Sequence, residues 1–386
     1  MINHFTFSLW AGDNRGWALD QTLTMASSFF NEAPFNLTRV RSLFFSQIVV
    51  FGWIEGFKIH QKFLNSSQIV ICIVDNDINE CYSSLFSSSL FARADIWLTH
   101  NVSTMELFQQ YTKNVFLLPY VSCKPIDLDY YIPNISGFKK ILDMREMSPN
   151  TSLIFSSQRD SSWSRSQKKW LPKDQKNPQY LLEFYDYLIN NLFDVMLVIG
   201  GPRRHWLVDQ LLLRDLPFIQ VNPPRFNNKD DYSNLLSRKD ILKITSICDY
   251  AIVTSRWEGG PLALLESISV NTLILSTSVG SSFDLLPPEL HLSGDLDLDA
   301  QKFHQLIFDS NLNKRMAALC KNNLDSRNKV TLDAFKKHLL KVIILKLIRY
   351  NSLFILLLIN IVSFPERWFF RIYFAVYSQI KRFFYA

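Results

Sequence analysis

Two carboxylates frame the stretch with the clearest chemistry. Within Tyr250–Pro287 an apolar run, Tyr250–Val253, leads into Ser255-Arg256-Trp257-Glu258, two glycines and Pro261. Seven residues separate Glu258 from Glu266, and a second apolar run, Thr272–Leu275, ends in Val279-Gly280-Ser281-Ser282. The order reads as strand, glycine turn, helix, strand. Gly259 and Gly260 lack a Cβ, so their backbone N–H groups can approach a ligand closely. Pro261 is expected at the first helical position, where its missing N–H costs nothing. The helix that follows presents unpaired donors and a partial positive charge to an anion or a sugar hydroxyl. Glu266, further into that helix, is placed to accept hydrogen bonds from a vicinal diol, as acidic residues do for ribose in dinucleotide folds.

This constellation resembles the donor-binding region of the large group 1, or family 4, glycosyltransferases. The resemblance rests on Glu258 and Glu266 and on the Glu258-Gly259-Gly260-Pro261 turn. It also rests on Leu264-Leu265, on the strand ending in Ser255-Arg256, and on Val279-Gly280 after the next strand. It implies an α/β protein of the GT-B type, with two Rossmann-like domains facing a cleft. It also implies a retaining transfer of sugar from a nucleotide diphosphate donor. Under it Glu266 holds the ribose, while Glu258, Gly259, Gly260, Pro261 and Leu262 contact the donor sugar. The family uses an Arg beyond the first strand of its second domain, and a Lys further on, to hold the pyrophosphate. Arg159, after the apolar Ser152–Ser156, fits the first position, with Arg165 as a competitor. Lys176, before Asn177-Pro178 and a helical pattern over Gln179–Ile189, fits the second. Two such cations would neutralise the charge building on a departing nucleotide diphosphate. The interval between them is longer than the family pattern and also holds Lys168, Lys169 and Lys173. The competing reading is a solvated basic loop.

These residues need a scaffold, and the pattern of the chain supplies one. A strand over Phe5–Trp10 runs into Ala11-Gly12-Asp13-Asn14-Arg15-Gly16-Trp17, and a helix is expected from Ala18 to Phe30. The loop is not G-x-G-x-x-G, so no dinucleotide is implied. The resemblance puts it at the cleft, with Gly16 and Arg15 as candidate donor-side residues; the alternative is a plain strand-to-helix turn. Apolar runs recur at Gln47–Phe51, Gln68–Val74, Ala94–Leu98 and Asn114–Leu118, with helical-length segments between them. That alternation predicts a parallel sheet covered by helices on both faces. Asp75-Asn76-Asp77 and His100-Asn101 follow two of these strands, where open sheets bind ligands. Asp75 and His100 are therefore acceptor-side candidates, against a cap or turn role for the Asp and a structural role for the His. The family often has a His where Asp75 stands. An Asp pair can hold a divalent cation, but the family commonly needs none, so no metal and no other cofactor is expected.

The expected division is 1–150 for the acceptor-side domain, 151–340 for the nucleotide-sugar domain, and 341–386 for a tail. A polar, proline-bearing linker is expected over 124–150. In the second domain Val195–Ile199 runs into Gly200-Gly201-Pro202, with Arg203, Arg204 and His205 read as surface residues. Phe218–Val221 is another strand, and Asp240–Cys248 a helix.

With 386 residues, 48% of them hydrophobic and 20% charged, the chain suits two folded domains and excludes wholesale disorder. Five scattered cysteines without a C-x-x-C pair point to a reducing compartment rather than a disulfide scaffold or zinc site. The opening MINHFTFSLWAGDNRG lacks the basic-then-apolar order of a signal peptide, so a cytoplasmic location is expected. The net charge is +6, yet nine Lys and Arg against two acids from Thr331 onward put +7 in the tail alone. A body so close to neutral argues against nucleic-acid binding. In the tail, Ser352–Phe364 is too short an apolar run to span a bilayer. Beyond Pro365, Arg367, Arg371 and Arg382 share one helical face and Phe369, Tyr373, Tyr377 and Phe384 another. Such a helix lies on an anionic membrane surface, here the inner face of the cell membrane, or packs on the body or a partner.

The leading expectation is a nucleotide-sugar glycosyltransferase acting on a glycan or lipid-linked acceptor, as in cell-surface polysaccharide assembly. Two others stand beside it: a non-catalytic nucleotide-sugar or glycan-binding member of a membrane complex, and a different sugar-phosphate enzyme on the same fold, such as an epimerase or phosphorylase.

Overall fold

A computed structural model describes residues 4–10, 36–39, 47–52, 54–74, 91–118, 120, 128–222 and 236–361. Two six-stranded parallel sheets form its frame. The first holds β1 (His4–Trp10), β2 (Asn36–Arg39), β3 (Ile48–Phe51), β4 (Ile69–Val74), β5 (Ile96–Thr99) and β6 (Val115–Leu117), in the order β2-β1-β3-β4-β5-β6. Helices α1 (Ile54–His60) and α2 (Val102–Gln109) cross between strands. Every residue of β3, β4 and β5 is buried. That is the expected consequence of a parallel sheet covered on both faces, and it is why these strands read as unbroken apolar runs. The Asn36–Arg39 strand carries too few apolar residues to stand out by pattern.

The second sheet holds β7 (Ser152–Ser156), β10 (Val195–Ile199), β11 (Phe218–Gln220), β12 (Tyr250–Val253), β13 (Leu273–Thr277) and β14 (His291–Leu292). Its order is β11-β10-β7-β12-β13-β14. Strands are added on one side of β7 and then, from β12, on the other. The reversal leaves a crevice between the carboxyl ends of β7 and β12, the place where doubly wound sheets bind ligands. Around the sheet lie α3 (Ser136–Met147), α4 (Pro178–Asn190), α5 (His205–Leu213), α6 (Arg238–Ile247), α7 (Leu262–Ser269), α8 (Ser281–Leu285) and α9 (Leu296–Phe308).

Three features differ from the sequence pattern. The expected linker contains α3, whose Gly137 N–H donates to the Val221 carbonyl at 2.9 Å. A Cβ on Gly137 would lie 2.4 Å from the Gln220 carbonyl oxygen, so only glycine lets α3 dock against β11. The basic interval between Arg159 and Lys176 folds into an antiparallel hairpin, β8 (Ser161–Ser164) and β9 (Lys169–Pro172). Finally, α10 (Ser310–Ile361) is one helix of 52 residues and does not break near residue 340.

That last helix joins the two halves. Met316, Cys320 and Leu324 are buried in its first part, and Phe335, Leu339, Val342 and Ile343 in its second. Each set is spaced by one, three or four residues and forms an apolar stripe, with the polar Arg327, Asn328 and Thr331 between the two. Phe335 meets Phe116 of β6 edge-on at 6.3 Å, and Lys346 pairs with Asp95 at 3.0 Å. Among the described residues no helix is long and apolar enough to cross a membrane. The expected tail helix beyond residue 361, the loop carrying Arg15 and Gly16, and Asp75 with Asp77 lie outside the described residues.

Candidate functional site

The crevice between β7 and β12 is built from three short loops tied to one another. After β12, the Thr254 hydroxyl donates to the carbonyls of Lys176 and Asn177 at 3.1 and 3.3 Å. The Thr254 N–H donates to Gln158 Oε1, while Gln158 Nε2 donates to the Ser255 hydroxyl at 2.7 Å. Ser255, fully buried, donates in turn to Glu258 Oε1 at 2.7 Å. The Arg256 N–H donates to the Gln175 carbonyl at 2.9 Å. Loops after β7, before α4 and after β12 thus form one unit, and its polar groups are fixed in advance of any ligand.

Into this unit the chain delivers Glu258 and Lys176, two of the residues singled out by sequence. They form an ion pair, their side chains 11% and 15% exposed. Lys176 ends a short 3-10 turn, Asp174–Lys176, before Asn177 at a left-handed φ of 45° and Pro178 at the start of α4. Lys173 lies beside them. Burial, then the charges of Lys176 and Arg159, lower its pKa to about 8; Glu258 opposes the shift and Arg203 adds to it. The charges of Arg159, Lys176, Arg203 and Glu258 thus all reach Lys173. Like charges gathered in a fixed cleft favour binding of an anion there.

The two arginines gain their positions from a buried pair. Arg204 and Asp160, each 2% exposed, meet at 2.9 Å, and Arg204 Nη2 also donates to the Ser156 hydroxyl. Burial raises the Asp160 pKa to about 6, against the pull of Arg204 and the Ser161 hydroxyl. Arg204 is thus a core residue, correcting its reading as a surface group. The neighbours Arg159 and Arg203 are left at the mouth.

The glycine turn faces the first domain. Gly260 packs so tightly that an added Cβ would lie 2.4 Å from the Tyr120 hydroxyl and 2.8 Å from His100 Nδ1. Asn101 Nδ2 donates to the Gly259 carbonyl at 2.9 Å. Gly280, at φ 52°, closes the other side, where a Cβ would meet the Glu258 carbonyl oxygen at 2.4 Å. His100 is 3% exposed, and its Nδ1 lies 2.9 Å from the Tyr120 hydroxyl. Burial, with Arg327 nearby, lowers its pKa to about 3, so it is neutral. The expected acceptor-side histidine therefore lies against the donor-side turn. Pro261 caps α7 rather than entering it, with φ −65° and ψ 118°, and Leu262 is the first helical residue.

Glu266 lies inside α7 and is 4% exposed. Burial raises its pKa to about 7, and the Arg238 charge partly opposes the shift. Its carboxyl changes charge near neutrality.

Lys173, Arg203 and the Gln158–Ser255 relay were not legible as site residues. Lys173 was hidden among neighbouring lysines, and only the strand order shows that Arg203, after β10, joins Arg159, after β7. Among the described residues no cluster of His, Cys, Asp and Glu is arranged to hold a metal ion.

Two Rossmann-like domains around a cleft, with a cationic site at the second sheet's crevice, define the GT-B class of sugar-transfer fold. Residues 172–289 match the family described as glycosyl transferases group 1. Solved structures agree in fold. Anabaena HepE in complex with UDP-glucose superposes with a TM-score of 0.55 at 10% identity, covering 87% of this chain and 98% of that one. The Candida albicans trehalose-6-phosphate phosphatase N-terminal domain gives 0.58 at 9% identity, covering 90% and 97%. A mutant of S. aureus TarM, in complex with Fondaparinux, alpha-GlcNAc-glycerol and UDP, gives 0.54 at 11% identity and covers 77% of this chain. The chain spans 55% of that TarM chain's length. No curated protein sequence matches.

Proposed function

We propose that the chain is a retaining glycosyltransferase that moves a sugar from a nucleotide diphosphate donor to a glycan or lipid-linked acceptor. The observation that carries this reading is the set of four basic side chains around Glu258, at the crevice of a domain matching group 1 glycosyl transferases. A diphosphate leaving group gathers negative charge as the sugar–oxygen bond breaks. Arg159, Lys173, Lys176 and Arg203 are placed to stabilise that charge without reorganising. The retaining outcome follows from the family resemblance alone.

In this reading Glu258 holds Lys176 in place before the donor arrives and faces the donor sugar afterwards. The backbone from Gly259 to Leu262 shapes the sugar pocket. Glu266 accepts from the ribose hydroxyls, and His100, neutral and on the opposite domain, borders the sugar on its acceptor side. Asp75 and Gly16 stand as further cleft residues. Basic side chains supply the countercharge, so activity is expected to survive EDTA. The basic, aromatic tail beyond Pro365 holds the protein on the inner face of the cell membrane. Deleting the residues after Ile361 should then release it from membrane fractions, and continued membrane retention would refute the tail's role.

The test of the function is incubation of the purified protein with UDP-, GDP- and ADP-sugars. The reading expects slow hydrolysis of one donor and faster release of nucleotide when acceptor is added. Nucleotide binding without hydrolysis or transfer would favour a binding module instead.

A further inference from the structure

The hairpin between Arg159 and Lys176 is unaccounted for by the donor site, and it lies almost wholly before the region that matches the family, which begins at residue 172. A two-stranded ribbon is marginal by itself in water. This one is held from outside. At its base the Ser161 N–H donates to the Arg203 carbonyl at 3.0 Å, and the Lys173 N–H donates to the Asp160 carbonyl. The Ser161 hydroxyl accepts from the Trp206 N–H at 2.9 Å. Across the ribbon Trp163 pairs with Trp170, ring centres 5.5 Å apart and planes inclined at 66°. Trp170 stacks on His205 at 4.1 Å, with the ring planes 10° apart. The arm is therefore anchored at the cationic site and stiffened along its length.

What it displays is uniform. From 161 to 173 the chain has four basic residues and no acidic one. Arg165, Lys168 and Lys169 at the tip are exposed, and both indoles are only half-buried. Three like charges on one turn concentrate a positive potential that attracts a polyanion. Its second strand leads straight into Lys173 and Lys176, so a chain lying along the ribbon would end beside the transferred sugar.

We propose that this hairpin is an acceptor-binding arm for an anionic glycan. The tip cations meet carboxylate or phosphate groups on the glycan, and the exposed parts of the half-buried indoles pack against sugar rings. The proposal rests on the glycosyltransferase reading and names the chemical class of its acceptor.

The test uses the full chain and titrates hexagalacturonate, with maltohexaose as the neutral control and UDP in parallel. One variant combines Arg165→Ser, Lys168→Asn and Lys169→Thr; Asn tolerates the left-handed φ of 49° at position 168. A second variant is Trp163→Ala. Hexagalacturonate should bind, maltohexaose should not, and the triple variant should weaken hexagalacturonate binding roughly ten-fold or more with UDP affinity unchanged. Trp163→Ala should weaken the same binding and leave UDP untouched. Failure of the wild-type chain to bind hexagalacturonate, or equal binding by the triple variant, would overturn the arm. Loss of binding to phosphatidylglycerol vesicles with hexagalacturonate binding intact would reassign it to the membrane. A chain that binds hexagalacturonate through the arm but binds no nucleotide would leave the arm standing and defeat the transferase reading.

Discussion

At the scale of single residues, the site's behaviour should follow two side chains that titrate near neutrality. Glu266, buried with a pKa of about 7, carries a charge only above that value. Its folded pKa lies above the ordinary carboxylate value, so the folded state holds the proton more tightly. The associated stability is present at low pH and is lost as pH rises toward and through 7. Glu266→Gln should therefore stabilise the unliganded protein at pH 8, on the order of a few kcal/mol, and change little at pH 4.5. Thermal melts at both pH values read this directly, and a variant less stable at pH 8 would contradict the burial argument. Lys173 sets the opposite limb. Its charge is lost near pH 8, so diphosphate affinity should climb through 7 and fall beyond 8. Lys173→Arg should shift the falling limb to higher pH, because a guanidinium stays charged. A titration series in which Lys173→Arg leaves that limb in place would remove Lys173 from the site. The turn and helix that carry Glu258 and Glu266 were legible because they have a readable pattern. Lys173 was not, since nothing local separates one lysine in a basic run from its neighbours.

At the scale of elements, the buried Asp160–Arg204 pair carries the geometry of the mouth. Asp160→Asn removes the carboxylate that meets Arg204 and leaves a cation in the core, a change that costs about 3–5 kcal/mol when a buried pair is broken. Chemical denaturation should show that loss. Restoring a carboxylate with Asp160→Glu should recover only part of it, since the longer side chain alters the spacing to Arg204. An Asp160→Asn variant as stable as wild type would mean that the pair is not closed in solution. The parallel strands were legible, because burial on both faces writes continuous apolar runs. The hairpin was not: Ser161–Ser164 and Lys169–Pro172 hold few apolar residues, and their pairing depends on Trp163, Trp170 and the distant His205. The helix within the expected linker was hidden for a similar reason. Gly137 and Pro133 read as loop residues, whereas Gly137 is what lets α3 press on β11.

At the scale of the whole molecule, the two domains meet through a compact polar contact at the donor turn. Arg327 of α10 donates to the His100 carbonyl at 2.5 Å, lies 5.0 Å from the centre of the Tyr120 ring, and stands 3.6 Å from Asp284. Asp284 accepts from the Val102 N–H, and the Asn328 side chain bonds both the N–H and the carbonyl of Tyr120. These contacts hold His100 and Asn101 on Gly259-Gly260. Arg327→Ala should therefore loosen the cleft, increase the radius of gyration in solution scattering, and weaken donor binding. Unchanged scattering and unchanged binding would show that α10's apolar stripes alone join the domains. The two-domain plan was legible from the order of strands and helices, and the matched region 172–289 includes the Glu258–Glu266 segment. The clasp was not, because it joins residues more than 200 positions apart in sequence.

The central claim is that the cations between β7 and β12 hold the diphosphate of a nucleotide. Calorimetric titration of UDP, GDP and ADP against the corresponding nucleosides tests it most directly, in wild type and in the double variant Lys173→Ala with Arg203→Ala. One diphosphate should bind, and its nucleoside should bind far more weakly. The double variant should lose roughly a hundred-fold in diphosphate affinity, at one charge-assisted hydrogen bond for each side chain, and keep the wild-type melting profile. Equal affinity for nucleoside and diphosphate, or full diphosphate binding by a well-folded double variant, would contradict it.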